Sequence, residues 1–265
     1  MDEVAKVGAL TESAFWDAHT FNDQEASGLP FSPEGPEFGD VHRAISECLG
    51  EGRGRRALEI GCFPGRYLWY FNRVLGFSVG GIEYRPAAAA RARSMLKAIG
   101  VDADVRSVDL FDAAGRSALG RWDVVSSFGF VEHFTDVDQV CRLHWELVVP
   151  GGTLVIVVPN HSGIYGWLME RLDPEAAPLH NRMDWTVLHG AVSALPGARV
   201  LRGGYVCRFG LSATNVYARA ARLGRVAYVG VRAPFWAAER VGQLVPNSAR
   251  FSPYIAIVAR KEGTS

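Results

Sequence analysis

The stretch LEIGCFPGRY, residues 58–67, begins as an apolar strand, ends it in glycine and turns into a helix that starts near Gly65. Glycine allows backbone angles and close approaches that a Cβ forbids, and the unpaired N–H groups of a helix N-terminus favour an anionic group. The turn therefore offers an edge at which a ligand can bind. Alone it is weak evidence, because any strand-to-helix turn can carry glycine. The sequence on either side gives it meaning.

Downstream, short apolar or β-branched runs alternate with helix-like segments. The runs are ALEIG (57–61), SVGGIE (78–83), ADVRSV (103–108), WDVVSSF (122–128) and TLVIVVP (153–159), separated by stretches such as RPAAAARARSMLKAIG and DVDQVCRLHWEL. Strands that alternate with helices indicate an α/β fold, a doubly wound parallel sheet covered on both faces. The unbroken apolar character of VIVV fits a central strand. Upstream, residues 1–50 read as a helical cap or lid, two short helices around the turn-rich SGLPFSPEGPEFG. The second is predicted over Asp40 to Leu49, with Val41, Ala44, Ile45 and Cys48 on one face. Residues 51–265 form the main domain, in which 161–250 carry insertions placed to cover a substrate. A helix-prone piece, about 218–244, contains a segment at 223–244 that suits a lid, a dimer surface or an interfacial helix. The chain closes with FSPYIAIVARK (251–261), a strand with Pro253 at its start, where a missing N–H costs little. Its place after a long helical insert suggests a reversed edge strand.

Glu83 follows the second strand about 20 residues after Gly61, the separation at which a strand-end carboxylate meets the two hydroxyls of an adenosine ribose. Asp109, after the third strand, is positioned for an adenine amine, with Asp112 as the alternative contact.

Together, LEIGCFPG, the acid of GIEYRP, SVDLFD, the strand end WDVVSSFGFVEHFTD and the block LHWELVVPGGTLVIVVPN resemble the successive motifs of class I S-adenosylmethionine-dependent methyltransferases of the small-molecule type. The resemblance covers roughly 55–160, and VVPGGTL is its most specific part. It implies a Rossmann-like, seven-stranded, mostly parallel sheet whose reversed C-terminal strand, SPYIAIVARK, is inserted between two earlier ones. It also implies that Glu59, Gly61, Cys62, Phe63 and Gly65 border the methionine portion of S-adenosylmethionine. Glu83 with Tyr84 would meet its ribose, Asp109 with Leu110 its adenine, and Phe128 its other side. Phe63 departs from the family, which usually has glycine there, so its ring either points away from the cofactor or narrows the pocket.

Methyl transfer from a sulfonium is an in-line displacement, in which the protein aligns the acceptor, excludes water and, for an OH or NH acceptor, removes a proton. His133, beside Glu132 just past the fourth strand, suits that last task because an imidazole titrates near neutral pH. The bland alternative has VEH opening the next helix. His180, with Asn181 and Trp185 nearby, is a second candidate base and His161 a third. Phe15, Trp16, Phe21 and Phe31 of the leader, and Tyr165 and Trp185 of the insert, are the candidates to face the acceptor; their alternative is packing.

The 28 basic residues balance the 28 acidic ones, which disfavours a nucleic-acid partner and fits a small-molecule acceptor. The excess of Arg, 25 against 3 Lys, has no functional reading. Cys48, Cys62, Cys141 and Cys207 show no zinc or redox spacing, so no metal and a reducing, cytoplasmic setting are expected. The N-terminus has no h-region of a secretory signal and no apolar run is long enough to span a bilayer. A homodimer is compatible with this reading. Two rivals remain: an NAD-dependent oxidoreductase on a related fold, and a noncatalytic cofactor-binding relative.

Overall fold

Five short runs of mostly apolar residues become five parallel strands: β1 (Arg56–Ile60), β2 (Ser78–Ile82), β3 (Ala103–Arg106), β4 (Trp122–Phe128) and β5 (Val148–Pro159). The computed structural model describes residues 9–11, 16, 33–35, 38–210, 224, 229–230, 236, 240–242 and 244–263. Two further strands, β6 (Ala198–Val206) and β7 (Tyr254–Lys261), complete one sheet of order β3-β2-β1-β4-β5-β7-β6. β7 runs antiparallel to both neighbours. It is therefore reversed but internal, not the edge strand that its place in the chain suggests. β5 is longer than TLVIVVP because it takes in VVPGG (148–152), of which Val148 pairs with Trp122 across an irregularity in register.

Helices cover both faces. On one side lie α1 (Gly39–Leu49), α2 (Arg66–Arg73) and α3 (Pro86–Ala98), burying Val41, Ile45, Leu68, Phe71, Ala89, Ala92 and Leu96 against the sheet. Pro86 at the start of α3 needs no donor there, and the alanines that follow lose no side-chain entropy. In α1 the buried stripe ends at Leu49, while Cys48 is only half-buried. On the other side lie α4 (Ala113–Ser117) and α5 (Val137–Glu146). Further along are α6 (Ile164–Leu172), at the carboxyl end of β5, and α7 (Trp185–Ser193), which packs beside α5.

The two glycines of β2 answer to packing. A Cβ on Gly80 would lie 2.4 Å from the Trp122 ring, and one on Gly81 would lie 2.6 Å from Cys62 Sγ. Strand order reverses between β1 and β4, so the carboxyl ends of β1, β2, β4 and β5 converge on the crevice where open α/β sheets bind ligands. Gly61, Glu83, His133 and His161 all follow those ends within a few residues. Among the described residues no helix is long and apolar enough to cross a membrane. The readings for Phe15, Phe21, Phe31 and most of 218–244 fall outside the described residues.

Candidate active site

The turn between β1 and α2 is built on two left-handed glycines, Gly61 at φ 73° and Gly65 at φ 101°. At Gly61 a Cβ would come within 2.8 Å of the Phe130 ring, and at Gly65 within 2.9 Å of Leu96. Neither position admits another residue without strain. Gly61 and Cys62 both donate their N–H groups to the carbonyl of Ile82, which ties the turn to the end of β2. Phe63 packs onto the apolar cluster beneath α1, α2 and α3, with the Arg85 guanidinium 5.8 Å from its ring centroid. Its ring is thus taken up by packing.

Glu59 lies beneath the turn with Oε2 buried and without a protein partner. Burial pushes its carboxyl well above the usual range, and the Leu68 backbone N–H offsets only part of that. An orphaned acidic oxygen beside a glycine cradle fits an amino group of a ligand. Glu83 is buried, and its Oε1 accepts from both the backbone N–H and Nε of Arg85, each at 3.1 Å. Tyr84 follows it, its carbonyl accepting from the Ser107 hydroxyl at 3.4 Å. Asp109 Oδ1 accepts from the Phe111 N–H, and Leu110 is buried. Asp112 caps α4, accepting from the N–H groups of Ala114 and Gly115, so its carboxylate is committed to the helix. Phe128 stacks on Tyr67, with 3.7 Å between centroids and 12° between planes, and lies 6.3 Å from Phe38.

Beyond β4 the chain forms a 3-10 turn, Val131–His133, and α5 starts only at Val137, capped by Asp136. VEH therefore does not open that helix. The three histidines read as competing bases meet in one stack. The His133 and His180 centroids are 4.6 Å apart, those of His180 and His161 are 4.9 Å apart, and Trp16 meets the other side of His133 edge-on at 4.8 Å. His133 Nδ1 faces the Leu179 carbonyl at 3.2 Å and His180 Nδ1 the Ala176 carbonyl at 2.8 Å. Since a carbonyl only accepts, both rings carry their proton on Nδ1 and present a bare Nε2. Glu132 Oε1 is 3.9 Å from His133 Nε2, too far for a hydrogen bond.

Burial sets the electrostatics. It pushes Glu132 up to about 8. It pulls His133 down to about 3, helped by the neighbouring His180, and His161 to about 3 for the same two reasons. His144, beneath Phe130, falls to about 4 by burial. His180 is lowered, again chiefly by burial. At neutral pH the imidazoles around His133 are neutral and the Glu132 carboxyl is largely protonated.

The same shifts predict a stability optimum. A histidine whose folded pKa is depressed contributes stability that is present above its unfolded value, about 6.5, and is lost as pH falls toward the folded one. Glu132, with its folded pKa raised, contributes stability that is present below about 4.5 and is lost as pH rises to about 8. Each group changes stability by at most about 1.4 kcal/mol per pH unit. Four histidines outweigh two glutamates, Glu59 and Glu132, below pH 6.5, and the glutamates act without them above it. The melting temperature should therefore peak near pH 6.5, and Glu132→Gln should make the alkaline limb shallower, leaving the part that Glu59 contributes. A melting temperature that does not vary from pH 5 to 8 would contradict these assignments.

Of the described residues read as facing an acceptor, Trp16, Tyr165 and Trp185, only Trp16 lies on the histidine stack. Tyr165 is buried, donating its hydroxyl to the Phe251 carbonyl at 2.7 Å and accepting from the Gly210 N–H. Trp185 packs over Gly203 of β6, where a Cβ would meet its ring at 2.4 Å. Both side chains are absorbed by packing. Three contacts with no local signal complete the site. Leu10 N–H donates to the His133 carbonyl, Asn181 N–H donates to the Glu132 carbonyl, and Asn181 Nδ2 donates to the Phe134 carbonyl. The leader and the insert are thus both stapled to the turn that bears His133. Among the described residues no group of three or more His, Cys, Asp or Glu side chains is arranged to hold a metal ion.

A family model described as "Methyltransferase domain" matches residues 37–201. A ubiquinone biosynthesis O-methyltransferase of Escherichia coli (strain K12 / DH10B) is 29% identical over 177 residues, covering 63% of this chain and 65% of the relative. The chain thus spans just under two thirds of the length of the curated relatives it matches. Among solved structures, the cyclase SpnF superposes with a TM-score of 0.64 at 17% identity, over 97% of both chains. A phosphoethanolamine N-methyltransferase 2 of Haemonchus contortus, in complex with phosphomonomethylethanolamine and S-adenosylhomocysteine, gives 0.61 at 15% identity, over 94% of this chain and 59% of that one. The last two show the fold alone.

Proposed function

Because the chain belongs to the family of class I S-adenosylmethionine-dependent methyltransferases, we propose that it methylates a hydroxyl of an uncharged small-molecule acceptor held against His133. The observation that carries this reading is the stack of neutral imidazoles, with bare Nε2 atoms, at the carboxyl ends of β4 and β5. The oxygen-methylating relative in Escherichia coli supports it. The antiparallel β7 and the family match leave no support for a nicotinamide-dependent reaction.

Bound S-adenosylmethionine supplies an electrophilic methyl group on a positively charged sulfur. The residues present fit it. The cradle of Gly61, Cys62 and Gly65, with the orphaned Glu59 oxygen, would hold the methionine end, Glu83 with Tyr84 the ribose, and Asp109 with Leu110 the adenine. Phe63 and Phe128 would support that pocket through packing. Trp16 and the insert stapled by Asn181 exclude water from His133. The Leu179 carbonyl fixes the tautomer, so His133 takes the acceptor proton at Nε2 as its oxygen is alkylated. Glu132, protonated beside it, can donate a hydrogen bond without adding charge. A site that disfavours charge this strongly suits a phenol or catechol better than a cationic amine.

The test is release of S-adenosylhomocysteine when the full chain is incubated with S-adenosylmethionine and catechol, phenol or aniline. Turnover should be at least roughly 10-fold faster with catechol than with aniline, as expected where general-base removal of a hydroxyl proton contributes to the rate. Methylation confined to the amine would overturn the proposal.

A further inference from the structure

We propose that His180 is a specificity-determining contact, and that the bare Nε2 atoms of His133 and His180 together select an acceptor with two neighbouring hydroxyls, such as a catechol. This rests on the reading of His133 as the group that meets the methylated hydroxyl. The Nδ1–H groups of the two rings are held by carbonyls of one short segment, residues 176–179. Leu179 holds His133 at 3.2 Å and Ala176 holds His180 at 2.8 Å. Both Nε2 atoms therefore turn away from that segment, and neither has a hydrogen-bond partner among the described residues. The ring centroids are 4.6 Å apart, with 53° between planes. Two acceptors so spaced match two hydroxyls on adjacent carbons of an aromatic ring, each donating through a hydrogen bond of about 2.8 Å.

Burial keeps both rings neutral at neutral pH, so each Nε2 accepts and cannot donate. Hydroxyl donors fit there, whereas carboxylate and ether oxygens, which only accept, do not. His161 stays outside the pair. It is 4% exposed with both nitrogens buried, and its ring packs edge-on against His180 at 4.9 Å, bracing it. His180 is only half-buried and lines an open cleft of about 400 Å³ with Met169, Pro174 and Pro178, which gives the acceptor its way in.

The two contacts differ in what they do. At His133 the acceptor oxygen forms its bond to carbon as the sulfur–carbon bond breaks, and its proton passes to Nε2. The imidazolium loses that proton to solvent when the mono-ether and S-adenosylhomocysteine leave. The second hydroxyl keeps its proton and its hydrogen bond to His180 throughout. A mono-ether that returned with its remaining hydroxyl at His133 would set its ether oxygen against His180 Nε2, acceptor against acceptor. The pair of rings thus selects the acceptor and ends the reaction at one methyl group. Because His180 is half-buried, water replaces a missing partner there, and the expected preference is about 3- to 10-fold.

The test is binding to the full chain with S-adenosylhomocysteine present, which does not depend on turnover. By calorimetry, catechol should bind about 3- to 10-fold more tightly than phenol or 2-methoxyphenol. His180→Asn keeps a donor for the Ala176 carbonyl but has no Nε2, and it should erase that preference. His180→Gln, whose side-chain oxygen can take the place of Nε2, should keep part of it. With histidines labelled with nitrogen-15, catechol should shift the Nε2 signals of both His133 and His180, and phenol that of His133 alone. No binding of catechol, equal affinities in the native chain, a preference unchanged in His180→Asn, or a catechol shift confined to His133 would overturn the proposal. A native chain that binds catechol at both rings yet methylates no hydroxyl would sink the functional reading and leave the two-point contact standing.

Discussion

A His133→Ala variant is expected to lose about 10²- to 10⁴-fold in turnover while binding S-adenosylhomocysteine as tightly as the native chain. The split follows from position. His133 sits in the 3-10 turn after β4, and its ring touches Trp16 and His180 and faces Glu132, none of which belongs to the glycine turn, Glu83 or Asp109. The cofactor cradle therefore keeps all of its contacts. Truncation also leaves a cavity and removes the hydrogen bond to the Leu179 carbonyl, so a loss of stability accompanies the loss of rate. His133→Asn separates the two effects, since its amide can still reach that carbonyl but cannot take a proton. Both variants should be slow, and only the alanine should melt markedly earlier. An asparagine variant with native turnover would mean that catalysis proceeds by alignment alone.

A Glu83→Gln variant should show the reverse pattern, with weak cofactor binding in an intact acceptor site. The glutamine oxygen can still accept from the Arg85 N–H and Nε, which in the native chain converge on Oε1. What is lost is the second carboxylate oxygen and the charge. A hydrogen bond to a charged group contributes about 1.5–3 kcal/mol, so affinity for S-adenosylhomocysteine should fall about 10- to 150-fold. Glu83→Ala is the less informative change, because it also removes an ion-pair partner of the largely buried Arg85 side chain. Calorimetry on the native chain and Glu83→Gln measures the difference directly, and equal affinities would remove Glu83 from the ribose contact.

How much of this was legible in the sequence depends on how local each signal is. Strands announced themselves where apolar runs end in turn residues, and WDVVSSF was bounded to the residue. The positions of Gly61, Gly65 and Glu83, at a turn and at a strand end, were legible because each fixes its own neighbourhood. The place of the last strand in the chain suggested only a reversed edge, whereas the resemblance implied insertion between two earlier strands, and β7 does lie between β5 and β6. The histidine stack had no local signal. His133, His161 and His180 come from three separate connections, and only the tertiary fold brings them within 5 Å in succession. Tyr165 and Trp185 misled for the matching reason. An aromatic in an insert looks available until its hydroxyl is given to the Phe251 carbonyl, or its ring to the flat surface over Gly203. Phe63 raised a doubt that packing resolves, because the cluster beneath α1 to α3 accommodates its ring.

The most direct measurement is the identity of the methylated atom when the full chain is incubated with catechol and S-adenosylmethionine deuterated in its methyl group. A single deuteromethyl ether is expected, formed by the native chain and nearly absent with His133→Asn. A label on carbon, or an ether formed equally fast without His133, would contradict it.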